Sequence, residues 1–335
     1  KTETFWHQHQ WIDLLEGREP SNLHDQQVYH KGTEYKSRIL INTPPNHGKS
    51  TTITMDYVAY RVAKDPTVRV LILSASEDFA RKFLVGIKNR LSHEKYADLV
   101  RDFGPGPGGF RDPNLPWTQE RIYAYGGDPS EKDPTVECIG INGQIYGARA
   151  DLIVLDDIVT LRTTRQKNTR QKLLDFIRTE VMSRLEPGDS SIGKPPGRLL
   201  MVGTRLSFDD LYGELIRQDE RGVWTYLTQP MILEYGDYPN EHKTLWPERF
   251  DGLAADGIMA DHGQDLARFR LVYQQEAAPE DAVFPEPAVD GCGASYSPGG
   301  LPDYIRPGGL TGLYVVGGVD LAASGFTAFV VLGVD

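Results

Sequence analysis

The stretch INTPPNHGKSTT, residues 41–52, ends its loop in Gly48-Lys49-Ser50, and the stretch DLIVLDDIV, residues 151–159, ends its apolar run in Asp156-Asp157. Those residue types suit a nucleoside triphosphate. Consecutive backbone N–H groups at a helix start face phosphate oxygens, a lysine neutralises the β and γ oxygens, and a hydroxyl holds Mg2+. Pro45, Asn46, His47, Gly48, Lys49, Ser50 and Thr51 are the expected ATP-binding residues. A buried strand ending in two carboxylates supplies the other half of such a site. Asp156 joins Ser50 as the expected Mg2+ holder, and Asp157 orients or deprotonates the attacking water. The bland alternative is a strand end whose acids only meet solvent. Thr43 stands where a phosphate loop usually has its first glycine, and Pro44-Pro45 must set that bend another way.

A third element follows the run Leu199–Val202. There Gly203-Thr204-Arg205 puts a small residue and a hydroxyl at a strand end, where a γ-phosphate can be sensed. A plain strand-to-helix turn explains the tripeptide equally well.

These groups need elements to position them. Arg38–Asn42 reads as a buried strand and Thr51–Ala63 as the helix after it. Val68–Leu73 reads as a second strand. Ser74 and Glu77 have capping-box spacing for a helix with Phe79, Phe83, Leu84, Ile87 and Leu91 on one face. Leu152–Leu155 and Leu199–Val202 are the third and fourth strands, and Ser207 with Asp210 repeats the cap spacing before Leu211, Leu215 and Ile216. Apolar strands separated by helices predict an α/β fold with a mostly parallel sheet covered on both faces. Residues 102–116 and 277–309, rich in Gly and Pro, read as irregular and as a linker respectively. Beyond them lie two apolar strand-like runs split by a small-residue turn.

Composition bounds the rest. With 335 residues, 39% apolar and 25% charged, the chain has room for one large domain or two. No apolar run approaches the ~20 residues of a membrane span. The first residue is not methionine, which suggests trimming, and Cys138 and Cys292 stand far apart, as a reducing cytoplasmic setting would allow. His7, His9, His24 and His30 are too loosely spaced for a metal site and read as a polar arm. Trp6, Trp11 and Tyr29 are the nearby rings that could stack on adenine. The net charge of −11 excludes a generally basic surface, yet seven cations (Arg162, Arg165, Lys167, Arg170, Lys172, Arg178 and Arg184) crowd one segment. Arg162, Arg165, Lys167 and Arg170 are the candidate DNA contacts there. A solvated helix face is the alternative.

Taken together, TPPNHGKST, LILSASEDFARKFLVGIKN, GINGQIYGARADLIVLDDIV, LLMVGTRLSFDDLYGEL, LWPERF and YQQEAAP resemble, in order, the large terminase subunit of tailed bacteriophages. The resemblance implies a P-loop ATPase of the additional-strand class over residues 1–276 (core, N-terminal arm and C-terminal lid), a linker over 277–309, and the opening strands of an RNase H-like nuclease over 310–335. It implies Lys49 and Ser50 as Walker A residues, Asp156 and Asp157 as the Walker B pair, and Thr204 in the coupling motif. Asn46 occupies a position where such proteins often carry a basic residue. Arg149, with Arg205 behind it, lies in the neighbourhood of the arginine finger that acts between subunits; a structural ion pair competes with that role. Asp320 is the expected first ligand of a two-metal (Mg2+ or Mn2+) nuclease centre, and only Asp335 follows it, so this stretch is expected to be unable to cut DNA. The implied cofactors are ATP and Mg2+. The implied partners are double-stranded DNA, the portal protein, the small terminase subunit and further copies in a ring, with no membrane. The implied setting is the host bacterial cytoplasm, with transient docking on proheads. Two other functions fit parts of the pattern: a helicase-like nucleic-acid-dependent ATPase, and a docking module that binds nucleotide without turnover.

Overall fold

Four strands are apolar at nearly every position because both of their faces are covered. In the computed structural model of the chain, Ile39, Ile41, Val70, Ile72, Val154 and Val202 point into one core. Leu40, Leu71, Leu73, Ile153, Leu155 and Met201 point into another on the opposite side. Alternate side chains of a strand leave opposite faces, so a strand between two helical layers has no polar face to show. The described residues are 4–34, 36–106, 108–127, 130–143, 145, 147–236, 241–263 and 266–277, with the strands Tyr314–Asp320 and Ala328–Val334.

The chain divides into two units, Lys1–Glu280 and Asp281–Asp335. In the first, helix α1 (Trp6–Leu15) precedes strands β1 (Val28–His30) and β2 (Arg38–Asn42). Helix α2 follows, wound with π geometry over Ser50–Tyr57 and as an α-helix over Val58–Lys64. Then come β3 (Val70–Ser74), α3 (Glu77–Ser92), α4 (Ala97–Phe103), β4 (Arg121–Ile122), β5 (Val136–Gly140) and β6 (Leu152–Asp156). Helices α5 (Leu161–Thr164) and α6 (Lys167–Asp175) lead to β7 (Arg198–Gly203), α7 (Leu211–Arg217) and β8 (Thr225–Thr228). A small subdomain follows: the hairpin of β9 (Ile232–Glu234) and β10 (Lys243–Thr244) with α8 (Gly252–Asp261) and α9 (Leu266–Tyr273), packed around Met231, Ile232, Ala255 and Phe269.

The main sheet runs β1-β8-β2-β7-β6-β3-β5-β4, parallel from β8 to β5 and antiparallel only at its two edges. The mixed α/β, mostly parallel reading therefore holds. Strand β7 lies between β2 and β6, with Asn42 opposite Gly203 and Asp156 opposite Val202. Three chain segments that are distant in sequence thus end side by side at one edge. In the second unit, β11 (Tyr314–Asp320) and β12 (Ala328–Val334) form an antiparallel pair, with Asp320 opposite Ala328. The proposed linker beyond Ala277, the turn between these two strands, Cys292, Asp335 and the side chain of Asp320 lie outside the described residues. Among the described residues, no helix is long and apolar enough to cross a membrane.

Two cap assignments need correction. Ser74 is the last residue of β3, and Ser76 caps α3 by accepting the Phe79 N–H. Likewise Asp210, not Ser207, caps α7, taking the Gly213 N–H at 3.0 Å. A cap must sit beside the first helical turn, and sequence spacing of three fits either neighbour. Phe79, expected on the buried face, is 53% exposed, while Leu84, Ile87 and Leu91 are fully buried. Urea unfolding checks this assignment of the buried face. Leu84→Ala is expected to cost about 2–5 kcal/mol and Phe79→Ala less than about 0.5 kcal/mol; equal losses would contradict it.

Candidate active site

Strand β2 delivers a tight loop, Thr43–Lys49, and α2 begins immediately after it. Two residues of the loop adopt left-handed backbone, Asn46 (φ 62°) and Gly48 (φ 84°). At Gly48 a Cβ would also lie 3.0 Å from the Gln8 amide nitrogen, so both backbone and space ask for glycine. Lys49 is almost fully buried beneath the loop.

Strand β6 ends in Asp156, which no solvent reaches. Its Oδ1 accepts from Ser50 Oγ at 3.0 Å, and its Oδ2 accepts from Thr54 Oγ1 in a short bond. Burial first, then the neighbouring Asp157 charge, raise its pKa to about 7; the two hydroxyls and Lys49 act against that rise. Asp157, next along, adopts left-handed backbone (φ 46°), which swings its carboxylate to 3.2 Å from Lys49 Nζ. Such a conformation away from glycine costs on the order of 1 kcal/mol and is found at functional sites. Lys49 Nζ also donates to Thr204 Oγ1 at 3.3 Å, and Thr204 in turn donates to the Thr43 carbonyl at 3.0 Å. Thr204 follows β7, whose last residue is Gly203. A Cβ at Gly203 would collide with the hydroxyl of Tyr212, buried directly beneath it. Lys49, Ser50, Asp156, Asp157 and Thr204 therefore meet at the common edge of β2, β7 and β6.

A hydroxyl and a carboxylate held in register are hard oxygen donors, which fit Mg2+ rather than a softer metal. Among the described residues, no group of three His, Cys, Asp or Glu side chains could hold a metal by itself. A cation at Ser50 and Asp156 would thus draw further oxygens from a bound phosphate and from water.

Other expected residues lie apart. Arg149 is exposed before β6, its backbone N–H on the Asp133 carboxylate at 3.1 Å. That is the opposite edge of the sheet, roughly five strand residues or about 16 Å from the Asp156 end. Within one copy it cannot reach Lys49. Arg205 lies near the site, but its guanidinium is committed to the buried Asp210 carboxylate and the carbonyls of Ser207 and Phe208. Arg162 on α5, Arg165 just after it and Lys167 at the start of α6 are exposed and make no ion pair among the described residues. Arg170 instead donates to the Thr164 carbonyl at 2.6 Å and reaches Asp209 at 3.5 Å. Thr51 is exposed on α2. Trp11 is fully buried and its indole N–H is taken by Gln229, so it cannot stack on a ligand.

Several residues take parts that the sequence reading did not give them. Thr54 lies one helical turn beyond Ser50, and that i, i+4 spacing could have revealed it. Gln275, just after α9, accepts the Arg205 N–H at 3.0 Å and ties the small subdomain to the turn that carries Thr204. His7 belongs to no polar arm. It is fully buried in α1, packed edge-on against Trp11 and tilted against Trp246. His47, buried within the loop, stacks on Phe250 with 4.8 Å between ring centres. The sequence motif LWPERF thus ends under the loop, a long-range packing that residue spacing does not signal.

No protein-family model matches the chain. The chain is 30% identical over 182 residues to the large terminase subunit of Enterobacteria phage T3, a match covering 54% of this chain and 27% of that protein. The likeness to large terminase subunits read from the motifs is therefore borne out, and the match spans about a quarter of the relative's length. Among solved structures, the HK97 bacteriophage large terminase superposes on 72% of this chain and 47% of its own, with a TM-score of 0.43 and 11% identity.

Asp156 yields a pH prediction for the metal-free protein. Its folded pKa, about 7, lies above the 3.8 of the unfolded chain. Its contribution to stability is therefore complete below 3.8 and is lost as pH rises through about 7. Asp156→Asn removes that loss. The stability of the variant relative to wild type should rise by about 1–3 kcal/mol between pH 5 and pH 8 in chelator-treated samples. A difference flat in pH would show that Asp156 is already ionised at pH 5.

Proposed function

We propose that this chain is the ATP-hydrolysing part of a motor that drives double-stranded viral DNA into a prohead. The observation that carries the reading is the convergence of Lys49, Ser50, Asp156, Asp157 and Thr204 from three adjacent strand ends. The position of β7 between β2 and β6 is what an additional-strand P-loop ATPase requires. The likeness to a phage large terminase subunit supports the DNA-packaging role.

In this mechanism the loop N–H groups and Lys49 hold the β- and γ-phosphates of ATP, and Ser50 and Asp156 hold Mg2+. When bound, Mg2+ neutralises charge on the phosphate oxygens. Asp157 starts paired with Lys49. An incoming γ-phosphate draws the ammonium to itself, and the freed carboxylate orients a water for attack on the γ-phosphorus. The bond to the β–γ bridging oxygen then breaks with its electron pair left on ADP, and the water's oxygen stays on the phosphate while its proton leaves by way of the Asp157 carboxylate. Thr204, sharing Lys49 with the phosphate, feels that departure and passes it through Arg205 and Gln275 to the small subdomain. Arg149 serves as the positive charge contributed by a neighbouring copy in a ring, because its own site is out of reach. Arg162, Arg165 and Lys167 supply the DNA-facing charge; Arg170 is held for structure.

The longer protein would carry an RNase H-like nuclease using two divalent metals, opening with the β11–β12 pair and Asp320. The portal protein and a small terminase subunit are its expected partners, and the host bacterial cytoplasm its setting.

Steady-state ATP hydrolysis tests the reading, with and without double-stranded DNA and across protein concentration. Wild type should turn over faster than in proportion to its concentration, as expected for a finger from a second copy. Asp157→Ala should lose at least about 100-fold, the scale of a positioned base. Turnover indifferent to Asp157 would refute the role given to it; ATP binding without turnover in any condition would favour a docking module.

A further inference from the structure

The loop between β2 and α2 lacks the first glycine that usually makes such a turn, and two histidines stand in its place. His47 Nδ1 lies 2.9 Å from the Pro45 carbonyl, and His7 Nε2 lies 3.3 Å from the His47 carbonyl. A carbonyl oxygen can only accept, so each of these nitrogens carries the proton. The first bond bridges the left-handed residue Asn46 from both sides. The second ties the loop to α1.

Each bond orients a peptide plane. In a trans peptide the C=O and the following N–H point in opposite directions. Holding the Pro45 oxygen toward the buried imidazole therefore turns the Asn46 N–H outward. Holding the His47 oxygen toward α1 turns the Gly48 N–H away from α1. Neither N–H has a partner among the described residues.

We propose that His7 and His47 are positioning residues that aim the Asn46 and Gly48 N–H groups at the bound phosphates. This rests on the nucleotide reading above. The second nitrogen of each ring, His7 Nδ1 and His47 Nε2, is buried with no partner among the described residues, so none of these gives either ring a second hydrogen bond. Packing holds them instead: His47 lies on Phe250 and His7 lies between Trp11 and Trp246. Burial keeps both rings neutral, with pKa values lowered to about 4 for His7 and about 3 for His47. Neutrality fixes the single donor that each carbonyl requires.

The two bonds use different ring nitrogens, and that allows a crossed test. The amide nitrogen of Asn can occupy the place of a histidine Nδ1, and that of Gln the place of Nε2. MgADP affinity is measured by calorimetry for wild type, H47N, H47Q, H7N, H7Q and K49A, with a melting curve for each without nucleotide. H47N and H7Q should bind within about threefold of wild type, and H47Q and H7N about tenfold more weakly, the scale of one buried hydrogen bond. Equal affinities for Asn and Gln at both positions, or losses that follow only the melting temperature, would overturn the proposal while a loss in K49A upheld the nucleotide site. Wild type that does not bind MgADP, or K49A that binds as wild type does, would overturn the nucleotide reading and this proposal with it.

Discussion

A carboxylate shut away from water must be satisfied by its neighbours, and Asp156 is the point on which this molecule is organised. Its two oxygens are taken by Ser50 and Thr54, successive turns of one helix. Those bonds tie the start of α2 to the end of β6, two segments separated by about a hundred residues of chain. Neither bond could form unless β2 and β6 ended at the same sheet edge. Parallel pairing through β7 brings about that alignment. Burial raises the Asp156 pKa, and a divalent ion placed beside it would restore the charged form that burial disfavours.

Lysine and aspartate add a second layer. Lys49 is divided between Asp157 and Thr204, each from a different strand end. A ligand phosphate competing for that ammonium would change both partners at once. Asp157 is half exposed and held in left-handed backbone, whereas Thr204 is buried and bonded to the loop's own carbonyl. In the proposed reaction the first would act on water and the second would move the backbone. The hydrogen bonds from Arg205 to Asp210 and Gln275 connect that backbone to the small subdomain.

Much of this was legible in the residues. The runs RILIN, LIVLD and RLLMVG became buried parallel strands because nothing but a two-sided core accommodates them, and Lys49, Ser50, Asp156, Asp157 and Thr204 lie at or just beyond the ends of those strands. Less regular strands did not announce themselves. Strand β5, Val136–Gly140, alternates buried and half-buried positions and includes Glu137, and β8 is built from Thr, Tyr, Leu and Thr. Both are recognisable only by their pairing. Caps were misplaced by two or three residues because Ser74, Ser76, Ser207 and Asp210 all offer suitable oxygens, and only backbone geometry selects among them. His7 illustrates the limit best: an isolated histidine in a polar stretch reads as solvated, yet it is fully buried beneath a loop forty residues away.

The central claim is that Ser50 and Asp156 hold a divalent ion together with a nucleotide. Electron paramagnetic resonance of Mn2+ tests it directly, comparing free and bound ion for wild type and Ser50→Ala with and without ADP. Tight Mn2+ binding that requires ADP and weakens in Ser50→Ala is the predicted result. Mn2+ that binds equally well without ADP, or that is indifferent to Ser50, would contradict the account.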